Sequence, residues 1–226
     1  GVTAGKCTEA RLDESVRRIL ATKARVGLRT QRLVDLDRAR EIVGDSADAA
    51  VARVAAERSI TLVRDSAHQL PFGHLNKGAR ILSITYAHRN DLGAGQTFDA
   101  ELRKVFPALR PEYVDADEPR PDFFHLFAIA DSADVILVSS YVANSSTATT
   151  IDVPRSFVDF IEELQKRKEH PIVVAFGNPY FLQQIPDATA YVVAWGGFPV
   201  SQSAAARALL GAFPMTGKLP ITIPGP

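Results

Sequence analysis

Gly93-Ala94-Gly95-Gln96 is the segment whose residue types point most directly to ligand chemistry, because closely spaced glycines at a helix start gather backbone N–H groups that can cradle a phosphate. The third glycine of a dinucleotide fingerprint is missing and no Gly-Lys-Ser/Thr follows, so the segment reads as a flexible βα loop. His68, His74, His88, His125 and His170 lack the i, i+4 or near-neighbour spacing that would put two on one metal. Each reads as a surface or capping residue. There is no Gly-x-Ser-x-Gly elbow, and the single cysteine, Cys7, has no local signature, so Ser or Cys nucleophilic chemistry has no support. Asn144-Ser145-Ser146 matches a glycosylation acceptor but reads as loop polarity. At Trp195-Gly196-Gly197 the indole either packs under a sharp turn or lines a cleft, and packing is the preferred reading.

The elements that would carry these residues follow from periodicity. Leu12, Val16, Ile19, Leu20 and Lys23 recur at spacings of three and four, with Thr8 placed to cap the start and Gly27 to stop the turn, which predicts an amphipathic helix. Leu28 to Asp37 reads as an extended linker into a second helix around Asp45 to Arg58. Short β-branched runs then follow at Ser59–Val63, Ala79–Thr85, Asp134–Ser139, Pro171–Gly177 and Thr189–Trp195, predicted as strands buried on both faces. Helical stretches at Phe98–Phe106, Phe123–Ser132, Ser156–Lys168 and Ser201–Leu210 alternate with them. That alternation specifies an α/β fold with a mostly parallel sheet flanked by helices on both faces, a three-layer, flavodoxin-like sandwich. Ligands in such sheets bind at the carboxyl ends of the strands, here the loops after Thr85, Ser139, Gly177 and Trp195. Gly217–Pro224 fits an edge strand or a tail laid on the surface.

At 226 residues the chain suits one medium domain with a helical appendage, burying roughly 70% of its unfolded surface. Lys+Arg and Asp+Glu both total 26, so no net field favours nucleic acid or an anionic membrane. Lys166-Arg167-Lys168 reads as the solvated end of a helix. No apolar run approaches the roughly 20 residues that cross a bilayer. The N-terminus lacks an initiator Met, a basic start and an apolar stretch, which reads as a chain beginning inside a longer one. One cysteine leaves the compartment open, with a secreted or periplasmic bacterial parent slightly favoured.

Several segments in order resemble the family 3 glycoside hydrolases. Arg11-Leu12-Asp13-Glu14-Ser15-Val16-Arg17-Arg18-Ile19-Leu20 with Gly27-Leu28 is similar to the helix that follows their catalytic barrel. Ala55–Arg64 followed by Leu70-Pro71 resembles the entry into their second domain, and Gly177-Asn178-Pro179-Tyr180 the turn after a central strand. Ala194-Trp195-Gly196-Gly197, Ala204–Gly211 and Thr216–Pro224 are similar to the family's closing signature. The resemblance implies residues 1–30 as the last barrel helix, 31–45 as linker and 46–226 as the α/β sandwich. It also implies a barrel partner bearing an aspartate nucleophile upstream, a β-linked sugar as substrate, and no cofactor. Tyr141, Asn144, Ser145, Asn178 and Trp195 are then the substrate-cleft candidates.

One departure bears on the branch. The β-glucosidase branch keeps an acid/base glutamate in the loop before a Leu-x-Leu-Pro helix start. Here that start is Ile151-Asp152-Val153-Pro154, and Tyr141–Thr150 contains no acid. The β-N-acetylglucosaminidase branch uses an Asp-His pair on a barrel loop instead, so the resemblance favours an N-acetylglucosamine-releasing parent. Asp152 is the nearest acid, and its preferred reading is an anion at a helix start rather than a displaced general acid. The rivals are a β-glucosidase or xylosidase parent, and a stand-alone flavodoxin-like binding or scaffold module.

Overall fold

The computed structural model describes residues 1–118, 121–142, 153–167 and 170–224. The chain divides into two compact units, Gly1–Ala49 and Ala50–Pro226. In the first, α1 (Glu9–Arg25) starts at Thr8, whose hydroxyl accepts from the Arg11 N–H at 3.2 Å. It stops at Gly27, which takes a φ of 76°. There the Gly27 N–H reaches the Ala24 carbonyl at 3.0 Å and the Leu28 N–H the Lys23 carbonyl at 3.1 Å, the paired bonds of a Schellman cap. Leu12, Val16, Ile19 and Leu20 form an apolar stripe on α1 and are exposed. α2 (Leu36–Ile42) forms within the stretch expected to be linker, because the Asp35 carboxylate accepts from the Asp37 and Arg38 N–H groups. Two turns are too short to show a period, so this helix escaped the sequence reading.

α3 (Ser46–Ser59) leads into the sheet of the second unit. The strands are β1 (Thr61–Asp65), β2 (Ile81–Ala87), β3 (Arg110–Asp115), β4 (Val135–Ser140), β5 (Ile172–Ala175) and β6 (Ala190–Val193), in the order β1-β6-β5-β4-β2-β3. All neighbours pair in parallel except β1, which runs antiparallel to β6. β2, β5 and β6 are buried throughout and β4 nearly so, as continuous Val/Ile/Leu runs require in a sheet covered on both faces. β1 departs from the expectation of double burial: it lies at an edge, and of its residues Thr61 is buried while Leu62 is exposed. Gly217–Pro224 forms no strand; it is the surface tail, tied by the Gly217 N–H to the Ile60 carbonyl at 3.0 Å.

Helices α4 (Gln96–Arg103) and α7 (Pro199–Leu209) cover one face, burying Phe98, Leu102, Ala204, Ala205, Ala208 and Leu209. Helices α5 (Phe124–Ala130) and α6 (Arg155–Lys166) cover the other through Leu126, Ala130, Phe157, Phe160, Ile161 and Leu164. Lys166 closes α6 and Arg167 caps it, as the basic run led one to expect. The alanines of α7 let its axis approach α4 closely, and Gln202, fully buried among them, joins the two helices. Its Oε1 accepts from the Thr97 and Phe98 N–H groups, both at 3.1 Å, while its Nε2 donates to the Gly93 carbonyl at 2.9 Å and the Gly197 carbonyl at 2.7 Å. Gln202 thus caps α4 from another helix, where Gly95, at φ 75°, has no side chain to do so. A Cβ on Gly95 would lie 2.3 Å from Thr85 Oγ1, so the turn admits no other residue without displacement.

Gln202→Ala takes the partner from two amides, one of them buried, and from two part-buried carbonyls at once. Urea unfolding of the variant should show a loss of about 3–5 kcal/mol, the scale for breaking a buried network. A loss under about 1 kcal/mol would show that water replaces the amide freely.

Candidate functional site

The carboxyl ends of the parallel strands bring three of the sequence candidates to one edge of the sheet. Tyr141 follows β4, Asn178 follows β5 and Trp195 follows β6. Each is held by packing. Tyr141 is buried, stacked on Phe176 with centroids 4.5 Å apart and planes at 8°. A Cβ on Gly197 would come within 3.0 Å of its ring, so that glycine is where the closing turn makes room for the tyrosine. Burial pushes the Tyr141 phenol well above its ordinary value, and the Asp99 charge adds to the rise; the Gly95 amide and Ser139 hydroxyl oppose it. Among the described residues its hydroxyl finds no hydrogen-bond partner of ordinary geometry.

Asn178 caps the 3-10 turn Pro179–Gln183, its Oδ1 accepting from the Tyr180 N–H at 2.9 Å. Its own N–H donates to the Val142 carbonyl at 3.3 Å. Trp195 sits at a φ of 62°, and its indole N–H is shared between the Ser59 carbonyl at 2.9 Å and Thr61 Oγ1 at 3.2 Å. This is the packing use of the indole, with its one polar atom spent on the entry to β1. Asn144, Ser145 and Asp152 lie outside the described residues. The stems of that segment are fastened: Val142 by Asn178, and Val153 by Gln184, whose side-chain amide accepts from the Val153 N–H and donates to the Val153 carbonyl, both at 2.9 Å.

At the β2 and β3 ends, charge replaces packing. Asp117 accepts from His88 Nδ1 at 2.7 Å and from the Arg89 N–H at 3.0 Å, and Arg89 pairs with Asp115 at 2.6 Å. The His88 hydrogen bond lowers the Asp117 carboxyl, and a backbone bond from Asp117 followed by that from Arg89 lowers Asp115. Among the described residues, no three His, Cys, Asp or Glu side chains are grouped so as to hold a metal ion. The Gly93–Gln96 turn does not present a phosphate cradle, because the Thr97 and Phe98 amides already donate to Gln202.

Asp99 belongs to none of the sequence motifs. It is buried on α4 beneath the Gly95 turn, where Ser83 Oγ on β2 donates to Oδ1 at 2.6 Å. Burial pushes its carboxyl up to about 6, with the Ser83 bond and the Arg103 charge pulling the other way. Two signals were available: Asp99 adjoins Phe98, on the apolar side of its helix, and Ser83 sits among the inward residues of a buried strand.

Comparison with known proteins places this geometry among relatives. A family model described as the glycosyl hydrolase family 3 C-terminal domain matches residues 42–226. A β-N-acetylglucosaminidase/β-glucosidase of Cellulomonas fimi is 28% identical, aligned over 98% of this chain and 40% of its own length. A periplasmic β-glucosidase/β-xylosidase of Dickeya chrysanthemi is also 28% identical, over 97% of this chain and 30% of its own. The solved structure of a glycoside hydrolase family 3 β-N-acetylglucosaminidase from a Paenibacillus species superposes with a TM-score of 0.76 at 21% identity, covering 98% of this chain and 41% of the other. At that identity the likeness is one of fold. The chain spans 40% and 30% of the length of the two curated relatives.

The Asp99 geometry makes a pH prediction. The folded state holds this proton up to about pH 6, whereas the unfolded chain releases it near the ordinary 3.8. Stability must therefore fall as pH rises through that window, by on the order of 2–3 kcal/mol from this group. Denaturation series between pH 4 and pH 8 should show Asp99→Asn gaining on the wild type across the window. An Asn variant equally or less stable throughout would show that the ionised carboxylate is satisfied where it lies.

Proposed function

The chain belongs to the glycosyl hydrolase family 3 C-terminal domain family, and on that premise we propose that it serves as the accessory α/β domain of a retaining β-glycosidase that releases N-acetyl-β-glucosamine. Retaining hydrolysis needs a carboxylate nucleophile and a general acid about 5 Å apart across the glycosidic bond. In this proposal both lie on a barrel domain in the remainder of the parent protein, and the present chain shapes one wall of the cleft. Tyr141, Asn178 and Trp195 act as positioning residues: they fix the strand ends from which the wall is built.

The observation that carries the N-acetylglucosamine preference is the absence of any Asp or Glu between Tyr141 and Thr150, where the β-glucosidase branch keeps its acid. With no acid in that loop, protonation of the leaving group falls to the barrel. Residues 1–30 are proposed as the last barrel helix, 31–45 as linker and 46–226 as the sandwich; the exposed stripe of Leu12, Val16, Ile19 and Leu20 supplies the apolar face such a helix needs for docking. A β-glucosidase or xylosidase parent is the second reading, favoured by the name β-glucosidase in both curated relatives. Family membership leaves no room for a scaffold module of separate ancestry.

The purified chain should turn over neither aryl β-glucosides nor aryl N-acetyl-β-glucosaminides; turnover that survives removal of host enzymes would overturn the accessory role. In the full-length parent, kcat/KM should favour the N-acetyl-β-glucosaminide, and a preference for the glucoside returns the assignment to the other branch.

Asp152→Asn in that parent should leave kcat within a few-fold of wild type, against the roughly 10²–10⁴ lost with an essential acid. A far larger drop, relieved by an activated aryl leaving group, would make this domain the acid donor.

A further inference from the structure

On the α4 face, the edge strand β3 leaves Pro111 and Tyr113 exposed. A cleft of about 590 Å³ opens there between α4 and the strand, a size that takes a small organic ligand. Thr85, Pro111 and Tyr113 form its base and Asp99 its wall. Pro111 and Tyr113 are two residues apart on one strand and so face the same way. The Tyr113 hydroxyl is shared between the Ala87 carbonyl at 3.0 Å and the His88 carbonyl at 2.8 Å, which pins a ring that is 48% exposed. Beside this platform stands a carboxylate that is 7% exposed. Ser83 occupies its Oδ1, and among the described residues Oδ2 has no hydrogen-bond partner.

The chemistry of an occupant follows from the charges around it. Asp91 and Glu112 also line the cleft, so an anion meets acceptors rather than donors. Neither arginine there is left for a phosphate, since Arg89 is paired with Asp115 and Arg103 acts on Asp99, and Glu112 is already paired with Arg110. A bare cation gains little from acids so compensated. A neutral ligand with several O–H donors and one apolar face matches both the unpartnered Asp99 oxygen and the Tyr113–Pro111 platform.

We infer that the cleft between α4 and β3 is a binding site for a neutral pyranose, its C–H face on Tyr113 and a hydroxyl donating to Asp99 Oδ2. The site stands on this cleft's geometry and does not depend on where the parent's hydrolysis takes place. The carboxylate is the stronger acceptor, so binding should weaken as pH falls through the window in which Asp99 takes up its proton.

The test is ¹⁵N-resolved NMR of the chain titrated with methyl β-D-glucopyranoside, N-acetylglucosamine and, as a cationic probe, glucosamine. Saturable shifts centred on Thr85, Asp99 and Tyr113 are expected with the neutral sugars, at millimolar affinity. Asp99→Asn should weaken binding roughly tenfold, the scale of one charge-assisted hydrogen bond, and Tyr113→Ala should weaken it by about as much through loss of the aromatic platform. The Tyr113 variant alters an exposed ring, so a folded spectrum is expected even where the Asp99 variant perturbs packing. Absence of saturable shifts at these residues, affinity unchanged in Tyr113→Ala, or shifts given by glucosamine and not by the neutral sugars would each overturn the assignment.

Discussion

Gln202 bonds the two βα connections that meet at the carboxyl edge of the sheet, and the geometry around it depends on that contact. Its carboxamide is the one side-chain group with both an acceptor and two donors on a short stem, and here the acceptor takes two helix amides while the donors reach one carbonyl on each loop. With α4 capped from α7, the turn before α4 is free to use glycines, and Gly95 can pass close over Thr85. That close passage brings α4 down onto β2, which buries Asp99 against Ser83 and leaves the cleft beside β3. On the far side the same carboxamide fixes the Gly197 turn against the Tyr141 ring.

The sheet itself is protected at both edges by different means. β1 is antiparallel and short, and the C-terminal tail crosses its entry, with Gly217 so close that a Cβ would meet the Ser59 and Ile60 carbonyls. β3 carries Arg110, Pro111 and Glu112 at its start, a charged and proline-bearing edge that resists pairing with another strand. Arg110 and Glu112 bond each other at 2.7 Å along that edge.

Those same devices decide what the sequence could reveal. β2, β4, β5 and β6 are legible because a strand buried on both faces must be an unbroken apolar run. β3 is not: Arg-Pro-Glu-Tyr-Val-Asp is polar, with no alternation to separate it from a loop, and its edge position makes that composition tolerable. The α/β rule places Tyr141, Asn178 and Trp195 at the carboxyl edge correctly. It says nothing of their partners, because the Trp195 indole finds Ser59 across 136 residues of chain. Gln202 reads as an ordinary polar helix residue, because its burial depends on a second helix far away in the chain, whereas Asp99 leaves only the faint signal of its place beside Phe98.

The fastening of Val142 and Val153 has a consequence for how this domain can diversify. Among the described residues, the bonds at these two positions come from Asn178 and Gln184, both on the β5–β6 connection. Exchanges between 142 and 153 therefore leave these anchors intact. Descendants of one gene can rewrite that stretch wholesale, acquiring or shedding a functional side chain, without renegotiating the core beneath it. Variation in chemistry between these anchors is thereby uncoupled from variation in the fold that holds them.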